Sequence, residues 1–152
     1  MDERGTESCA PPGGPGLWLS DDGAVIGVAS RHAQRIWVCL FDNEDEEVAR
    51  IALRNRDGDF HYGFLPGVRA GQRYGLRAEG PWEPRAGHRF DPEKLLVDPF
   101  ARRLDRAFTF DPALTAPRES AVDTARLVPK AVAETALPHI APAPASPPTL
   151  IY

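Results

Sequence analysis

The chain has 152 residues, 42% of them hydrophobic and 26% charged, which is enough for one globular domain with its own core. The formal net charge is -4 at pH 7 and the sequence has no basic stripe, so nucleic acid is excluded as an expected partner. No run of about 18 apolar residues occurs, so we expect no membrane-spanning helix.

The first sixteen residues predict a disordered tail. Residues 1–10 begin with acidic residues and lack the apolar run of a secretory signal. Residues 10–16 read Ala-Pro-Pro-Gly-Gly-Pro-Gly and bury too little apolar surface to offset the entropy of ordering them. Only two cysteines occur, Cys9 and Cys39, which favours a cytoplasmic protein with two free thiols. A disulfide between them is the less favoured alternative.

Five segments between residues 24 and 79 have the composition and alternation of short β-strands. They are residues 24–30, 35–41, 47–53, 59–65 and 72–79. A helix is the alternative for residues 47–53, whose propensity also suits one. Turn residues separate the segments at intervals of roughly 8 to 12 residues, which predicts an all-β protein with an antiparallel β-sandwich.

Two of these strands carry information about their faces. In residues 35–41 one face carries Ile36, Val38 and Leu40, and the other carries Trp37, Cys39 and Phe41. A two-sheet sandwich buries one face of each sheet, so the second face needs a cover. We expect the loop at residues 87–101 to cover part of it and another domain to cover the rest; the alternative is that the loop covers it fully. In residues 72–79 the polar side carries Arg73, Arg77 and Glu79, and we expect these side chains to face water.

A loop-rich C-terminal extension begins at Gly80. A helical turn is predicted over residues 92–96, with Asp91 as its cap and Pro92 at its first position. Residues 111–148 are predicted to be loop with weak helical patches, followed by a proline-rich linker. Residues 149–152 form an apolar, strand-like stub, and a chain that ends within such a strand predicts an incomplete molecule.

The chain lacks the sequence pattern of a catalytic, metal or cofactor site. Its four histidines (residues 32, 61, 88 and 139) have no metal-ligand spacing, and no nucleophile elbow, phosphate loop or dinucleotide fingerprint occurs. We therefore predict no catalytic residue, no metal and no cofactor. Trp82, on the turn at residues 80–84, is a candidate platform for stacking on the apolar C–H face of a sugar. Alternatively it plugs the end of the sandwich or packs on a neighbouring domain.

Two runs resemble the N-terminal region of glycogen-debranching enzymes of the isoamylase type. They are Gly80-Pro81-Trp82 and residues 87–101, GHRFDPEKLLVDPFA, and the resemblance covers about residues 17–130. It implies a family 48 carbohydrate-binding module, an immunoglobulin-like early-set β-sandwich at residues 17–110, which in that family precedes a (β/α)8 barrel of glycoside hydrolase family 13. The stub at 149–152 resembles the first barrel strand. A whole barrel needs roughly 250 residues, so no catalytic residue is transferred to this chain.

The resemblance also implies roles for residues. The module would pack on the barrel and help to shape a groove for α-1,6 branch hydrolysis in glycogen-like glucans. Candidate interface residues are Trp37, Phe41, His88, Arg89, Phe90, Leu95 and Leu96. Glucan-binding members use two tryptophans and a lysine; here Trp82 matches one tryptophan, Gly75 stands at the lysine position, and acidic residues follow Phe41 where the other tryptophan is expected. The alternatives are an independent α-glucan-binding module and a protein-interaction sandwich unrelated to sugar.

Overall fold

A computed structural model of the chain describes residues 10–135, which form an immunoglobulin-like antiparallel β-sandwich. The strands are β1 (Gly16–Ser20), β2 (Gly23–Ala29), β3 (Arg35–Phe41), β4 (Glu47–Ala52), β5 (Asn55–Asp57), β6 (Phe60–Pro66), β7 (Arg73–Glu79), β8 (Trp82–Glu83), β9 (His88–Arg89) and β10 (Ala131–Val132). The first sheet has the order β1-β2-β6-β5, the second has the order β10-β7-β3-β4, and β8 and β9 form a separate hairpin. The predicted all-β class and sandwich architecture are confirmed.

The apolar core lies between the two sheets. Ile26 of β2 and Leu65 of β6 face it from the first sheet, and Val38 of β3 faces it from the second; all three side chains are 0% exposed. The inner face that alternation predicts for β3, with Ile36, Val38 and Leu40, is confirmed.

The predicted strands agree with the structure to within about a residue at most ends. β3 has the predicted bounds, and residues 47–53 resolve in favour of a strand because β4 pairs with β3 along its length. β1 is not among the five predicted strands. It begins at Gly16, which has a φ of 103°, and pairs with β2 in continuous register.

The helical turn predicted over residues 92–96 is wrong. The Asp91 carboxylate does accept a hydrogen bond from the Glu93 amide at 3.0 Å, as a helix cap would, and the Lys94 amide donates to the Asp91 carbonyl at 3.0 Å, but no helix follows. Leu96 then exchanges two backbone hydrogen bonds with Leu76 of β7, at 2.7 and 2.8 Å. Because β7 uses the amide and carbonyl of Leu96, these groups are not available to continue a helical turn.

Residues 111–148 are predicted to be loop and linker, whereas the structure adds Ala131 and Val132 to the second sheet as β10. Ala131 is 0% exposed and belongs to the main core. The helical patches expected there are two short 3₁₀ helices, Pro112–Thr115 and Arg118–Ser120. The predicted linker from residue 136, the stub at 149–152 and residues 1–9 of the tail lie outside the described residues.

Candidate functional site

The outer face of the second sheet is the side of β3 and β7 that points away from the core. Cross-strand rows on it join Trp37 to Arg77, Cys39 to Gly75 and Phe41 to Arg73. Cys39 is 0% exposed and Phe41 is 2% exposed, so this part of the outer face is buried although it points away from the first sheet.

The chain itself covers the outer face with residues 91–98 and 122–130, called here the covering segments. Leu95 from the first segment packs with Ala125 and Val128 from the second over Cys39 and Phe41. The two segments are joined to each other, because the Leu95 amide donates to the Thr124 hydroxyl at 2.9 Å. The expected partial cover by the loop is thus confirmed, the second segment adds to it, and Trp37 stays half-buried.

This cover changes the position of two candidate interface residues. Phe41 is 2% exposed and Leu95 is 4% exposed, and each packs against residues of this same chain. They are core residues of the covered face and do not present a surface to another domain. A Cβ atom at Gly75 would lie 2.8 Å from Leu95 Cδ1, so a longer side chain there would displace the cover.

Arg77 is the first anchor of the cover. Its side chain is 0% exposed, so the expectation that it faces water is wrong. Its guanidinium donates to the Pro92 carbonyl at 2.9 Å in one covering segment and to the Asp123 carboxylate at 2.8 Å in the other. It also pairs with Glu47 of β4 at 3.2 Å. Burial alone would lower the pKa of Arg77, but its carboxylate partners outweigh burial and raise it.

Lys130 is the second anchor, and its side chain is also 0% exposed. Its ammonium donates to the Val128 carbonyl at 2.7 Å and also to the Ala125 carbonyl, and lies 4.9 Å from the centre of the Phe41 ring. Asp45 lies 3.6 Å away. Burial lowers the pKa of Lys130.

A network of charges surrounds Lys130. Arg73 pairs with Asp45 and Asp105, and the Asp105 carboxylate accepts the Lys130 amide at 2.8 Å. Burial by itself would raise the pKa of each of these carboxyls, but the adjacent guanidinium groups lower both.

The Tyr74 hydroxyl fixes the end of the first covering segment. It donates to the Asp98 carboxylate at 2.8 Å, and both side chains are buried. Burial raises the pKa of Tyr74. The cover is therefore held by specific polar contacts at several points along both segments.

A second candidate surface is the hairpin of β8 and β9. Trp82 pairs across it with Arg89, and Glu83 pairs with His88. Gly87 closes the hairpin with a φ of 88°, a conformation suited to glycine. The His88 ring meets His32 edge-on at 4.5 Å between centroids. The structure thus brings Trp82 and three candidate interface residues, His88, Arg89 and Phe90, onto one hairpin and its exit.

Trp82 keeps 36% of its surface exposed at this hairpin. The guanidinium of Arg118, from the 3₁₀ helix Arg118–Ser120, lies 5.4 Å from the centre of the indole ring. Two other candidate interface residues lie outside this hairpin. Leu96 is 47% exposed beside β7. Trp37 on β3 is half-buried, and the Arg35 guanidinium lies 5.5 Å from its ring centre.

Sequence reasoning missed several residues at these surfaces. Arg118 lies 36 positions after Trp82, and no local pattern links the two. Phe108 and Phe110, with exposed fractions of 61% and 64%, belong to no motif that the sequence singled out. Within residues 10–135, no cluster of three His, Cys, Asp or Glu side chains is arranged to hold a metal ion. No helix in that range has the length and apolar character needed to cross a membrane.

The comparisons with known proteins agree with this fold. The family model described as carbohydrate-binding module 48 (isoamylase N-terminal domain) matches residues 16–101, more than half of the chain. A glycogen debranching enzyme of Yersinia enterocolitica is 53% identical over 85 residues, which cover 56% of this chain and 13% of that protein. One of Serratia proteamaculans is 42% identical over 119 residues, which cover 77% of this chain and 18% of that protein.

Similar solved structures support the fold alone. The catalytic module of a glycogen-degrading pneumococcal virulence factor superposes with a TM-score of 0.55 at 20% identity, over 78% of this chain and 16% of that one. The chain therefore spans less than a fifth of the length of each of these proteins.

Proposed function

The chain belongs to the carbohydrate-binding module 48 family, the isoamylase N-terminal domain, and we infer from that premise that it serves as the non-catalytic N-terminal module of a glycogen-debranching enzyme. The observation that carries this inference is the family match over residues 16–101, together with curated relatives of 42–53% identity that are all named glycogen debranching enzyme. Hydrolysis of α-1,6 branches in glycogen-like glucans is assigned to a partner domain, a (β/α)8 barrel of the parent enzyme.

The described carboxyl groups whose pKa values are shifted belong to the ion pairs around the second sheet. The shifted carboxyls among residues 10–135 are Asp45, Glu47, Asp105 and Asp123, and all are shifted downward. In each case a neighbouring arginine outweighs burial, so these groups serve as ion-pair partners of the cover.

The role proposed for the module is to support the catalytic domain and its substrate groove. Exposed candidates for that contact are Arg89 and Leu96, and half-buried candidates are Trp37, His88 and Phe90. Contact with the glucan itself is assigned to Trp82. A cytoplasmic location is part of the proposal, and the free, buried thiol of Cys39 fits a reducing compartment.

An independent α-glucan-binding module is the second candidate, and the exposure of Trp82 on a fixed hairpin favours it. The family resemblance places a sugar-binding lysine at position 75. Here Gly75 packs under Leu95, and the covering segment fills the space that a lysine would need. We therefore assign to the isolated chain at most weak glucan binding, through Trp82 alone.

Two measurements test the proposal. The purified chain is incubated with glycogen and with pullulan, and reducing ends are assayed against a heat-denatured control. No turnover is expected, and turnover that survives exclusion of contaminating amylase would refute the non-catalytic assignment. The coding region after codon 152 is then read, and an in-frame continuation with the strands and helices of a barrel is expected. A different continuing domain would refute the debranching assignment.

A further inference from the structure

The indole of Trp82 already has a partner within the chain. The Arg118 guanidinium lies 5.4 Å from the ring centre, inside the range of about 6 Å for a cation–π contact. We propose that Arg118 and an α-glucan compete for the same face of Trp82, so that the 3₁₀ helix Arg118–Ser120 acts as a displaceable cover of a sugar-stacking platform. This inference rests on the proposed role of Trp82 in glucan contact.

Arg118 lies on an exposed segment, residues 115–121, which is called here the arch. Contacts at Leu114 and Val122 hold its two ends. None of the residues of the helix Arg118–Ser120 is buried. Before it, Leu114 packs against the cluster around Phe41. After it, the Val122 carbonyl accepts from Lys94 Nζ at 3.3 Å and Asp123 pairs with Arg77. The ends of the arch are therefore held while its middle can leave Trp82 without opening the sandwich.

The backbone of the arch carries strain at one residue. Ala121 closes the 3₁₀ helix in the left-handed region, with φ 47° and ψ 40°, and its amide donates to the Arg118 carbonyl at 3.0 Å. A residue with a Cβ adopts this conformation at a cost, and such residues persist where surrounding contacts hold them. The contact of Arg118 with Trp82 is one interaction that favours the closed arch, and displacing it allows Ala121 to relax.

Competition follows from the space above the ring. A sugar that stacks on an indole brings its C–H face to about 3.5–4.0 Å from the ring atoms. A guanidinium centred 5.4 Å from the ring centroid occupies that same volume. An exposed cation–π contact favours the covered state by a factor of about two to five. A site that is open only part of the time has an apparent affinity equal to its intrinsic affinity multiplied by the fraction of time it is open.

The test is a titration of the 152-residue chain with maltoheptaose, followed by tryptophan fluorescence and calorimetry. Arg118→Ala is expected to bind about three- to sixfold more tightly than the unsubstituted chain, because a covered state favoured two- to fivefold leaves the site open about a third to a sixth of the time. Arg85→Ala is the matched control: it removes the same charge from the neighbouring exposed turn Pro84–Ala86, and its affinity should equal that of the unsubstituted chain. The double variant Trp82→Ala/Arg118→Ala should lose the gain.

Each other outcome overturns the inference. Unchanged or weaker binding by Arg118→Ala means that the sugar uses another face, or that Arg118 helps to bind it. Equal gains in affinity for Arg118→Ala and Arg85→Ala mean that the loss of a positive charge, and not the removal of a cover from Trp82, strengthens binding. Absence of binding by every variant removes the glucan role of Trp82, but the module assignment stands on the activity assay and the downstream coding region. Matching thermal transitions show that Arg118→Ala remains folded.

Discussion

At the middle of β3, the two faces of the second sheet are buried to the same extent by different means. Val38 and Cys39 are neighbours on β3, point to opposite sides, and are both 0% exposed. Val38 meets the apolar face of another sheet, whereas Cys39 meets two irregular covering segments anchored by the buried cations Arg77 and Lys130.

The difference shows what each kind of cover requires. Two regular sheets bring apolar rows together over their whole length, and apolar burial needs no directional contacts. An irregular segment has no ladder of its own, so its backbone groups need separate partners. The carbonyls of Pro92, Ala125 and Val128 find them in Arg77 and Lys130. Buried ion pairs add little net stability for their cost, so we assign these cations mainly to fixing the position of the cover.

The largest effect is expected on the inner face. Ile36 is 2% exposed in the main core, and Ile36→Ala should lower the free energy of unfolding by about 2–5 kcal/mol, because it leaves a cavity between two sheets that resist collapse. Urea denaturation followed by circular dichroism measures it. A loss below about 1 kcal/mol would contradict the rigid core described here.

The matched change on the outer face is Leu95→Ala, with an expected loss near the lower end of the same range, about 2 kcal/mol, because a single covering segment settles more easily into the space. The change should also expose Cys39, whose thiol pKa burial raises to about 11. In a Cys9→Ser background Cys39 is the only thiol, so its labelling rate under native conditions reports opening of the cover. Equal labelling in Leu95→Ala and the parent would show that Leu95 does not shield the thiol.

Removal of an anchor should act on the cover alone. Arg77→Met keeps apolar volume but leaves Asp123 without its guanidinium and Glu47 with Arg50 as its remaining arginine partner, and we expect a loss of about 1–3 kcal/mol. The 53% exposure of the Asp123 side chain keeps the loss below that of a fully buried pair. Cys39 labelling should accelerate while hydrogen exchange of β2 amides stays slow. Acceleration of both would mean that the cover and the core open together.

Low pH should open the covering segments before it opens the core, as removal of Arg77 should. The pKa values of Asp45, Glu47, Asp105 and Asp123 lie below their ordinary values of 3.8 and 4.5 in the folded chain. Their stabilisation is therefore fully present above those ordinary values and is lost as the pH falls through the lowered ones. Exchange at residues 123–130, corrected for intrinsic rates, should rise before exchange at residues 24–28. Simultaneous loss would show that these ion pairs do not hold the cover separately.

The smallest effect is expected for an exposed pair at the rim of the cover. Arg126 pairs with Glu46, but their side chains are 68% and 57% exposed. Arg126→Met should change stability by less than about 0.5 kcal/mol in the same denaturation assay, since water and salt screen such pairs. An effect as large as that of Arg77→Met would remove the distinction between buried anchors and surface pairs.

Local pattern predicted five of the ten strands in residues 10–135, and it predicted the inner face of β3. Alternation placed Ile36, Val38 and Leu40 on one side of β3, and the apolar character of the opposite side correctly indicated that something covers it. The resemblance over residues 87–101 correctly indicated the family.

Contacts between distant residues could not be predicted in this way. Arg77 is a charged residue in an alternating strand, a pattern that normally means exposure, and its partner Asp123 lies 46 positions away. Asp91 and Pro92 match the start of a helix, but the pairing of Leu96 with β7 prevents one. Weak helical patches were predicted near Arg118, but nothing in them indicates the contact of Arg118 with Trp82, 36 positions earlier.

The order in which the covered face is completed has a consequence during synthesis. β3, β4 and β7 have all been made once the ribosome reaches Glu79, but Val128 and β10 come about 50 residues later. At roughly 5–20 residues per second, Cys39 and Phe41 lack the second covering segment for about 3–10 s on each nascent chain. That interval is a window for chaperone capture or for association between neighbouring chains on a polysome, and it closes when the second covering segment docks.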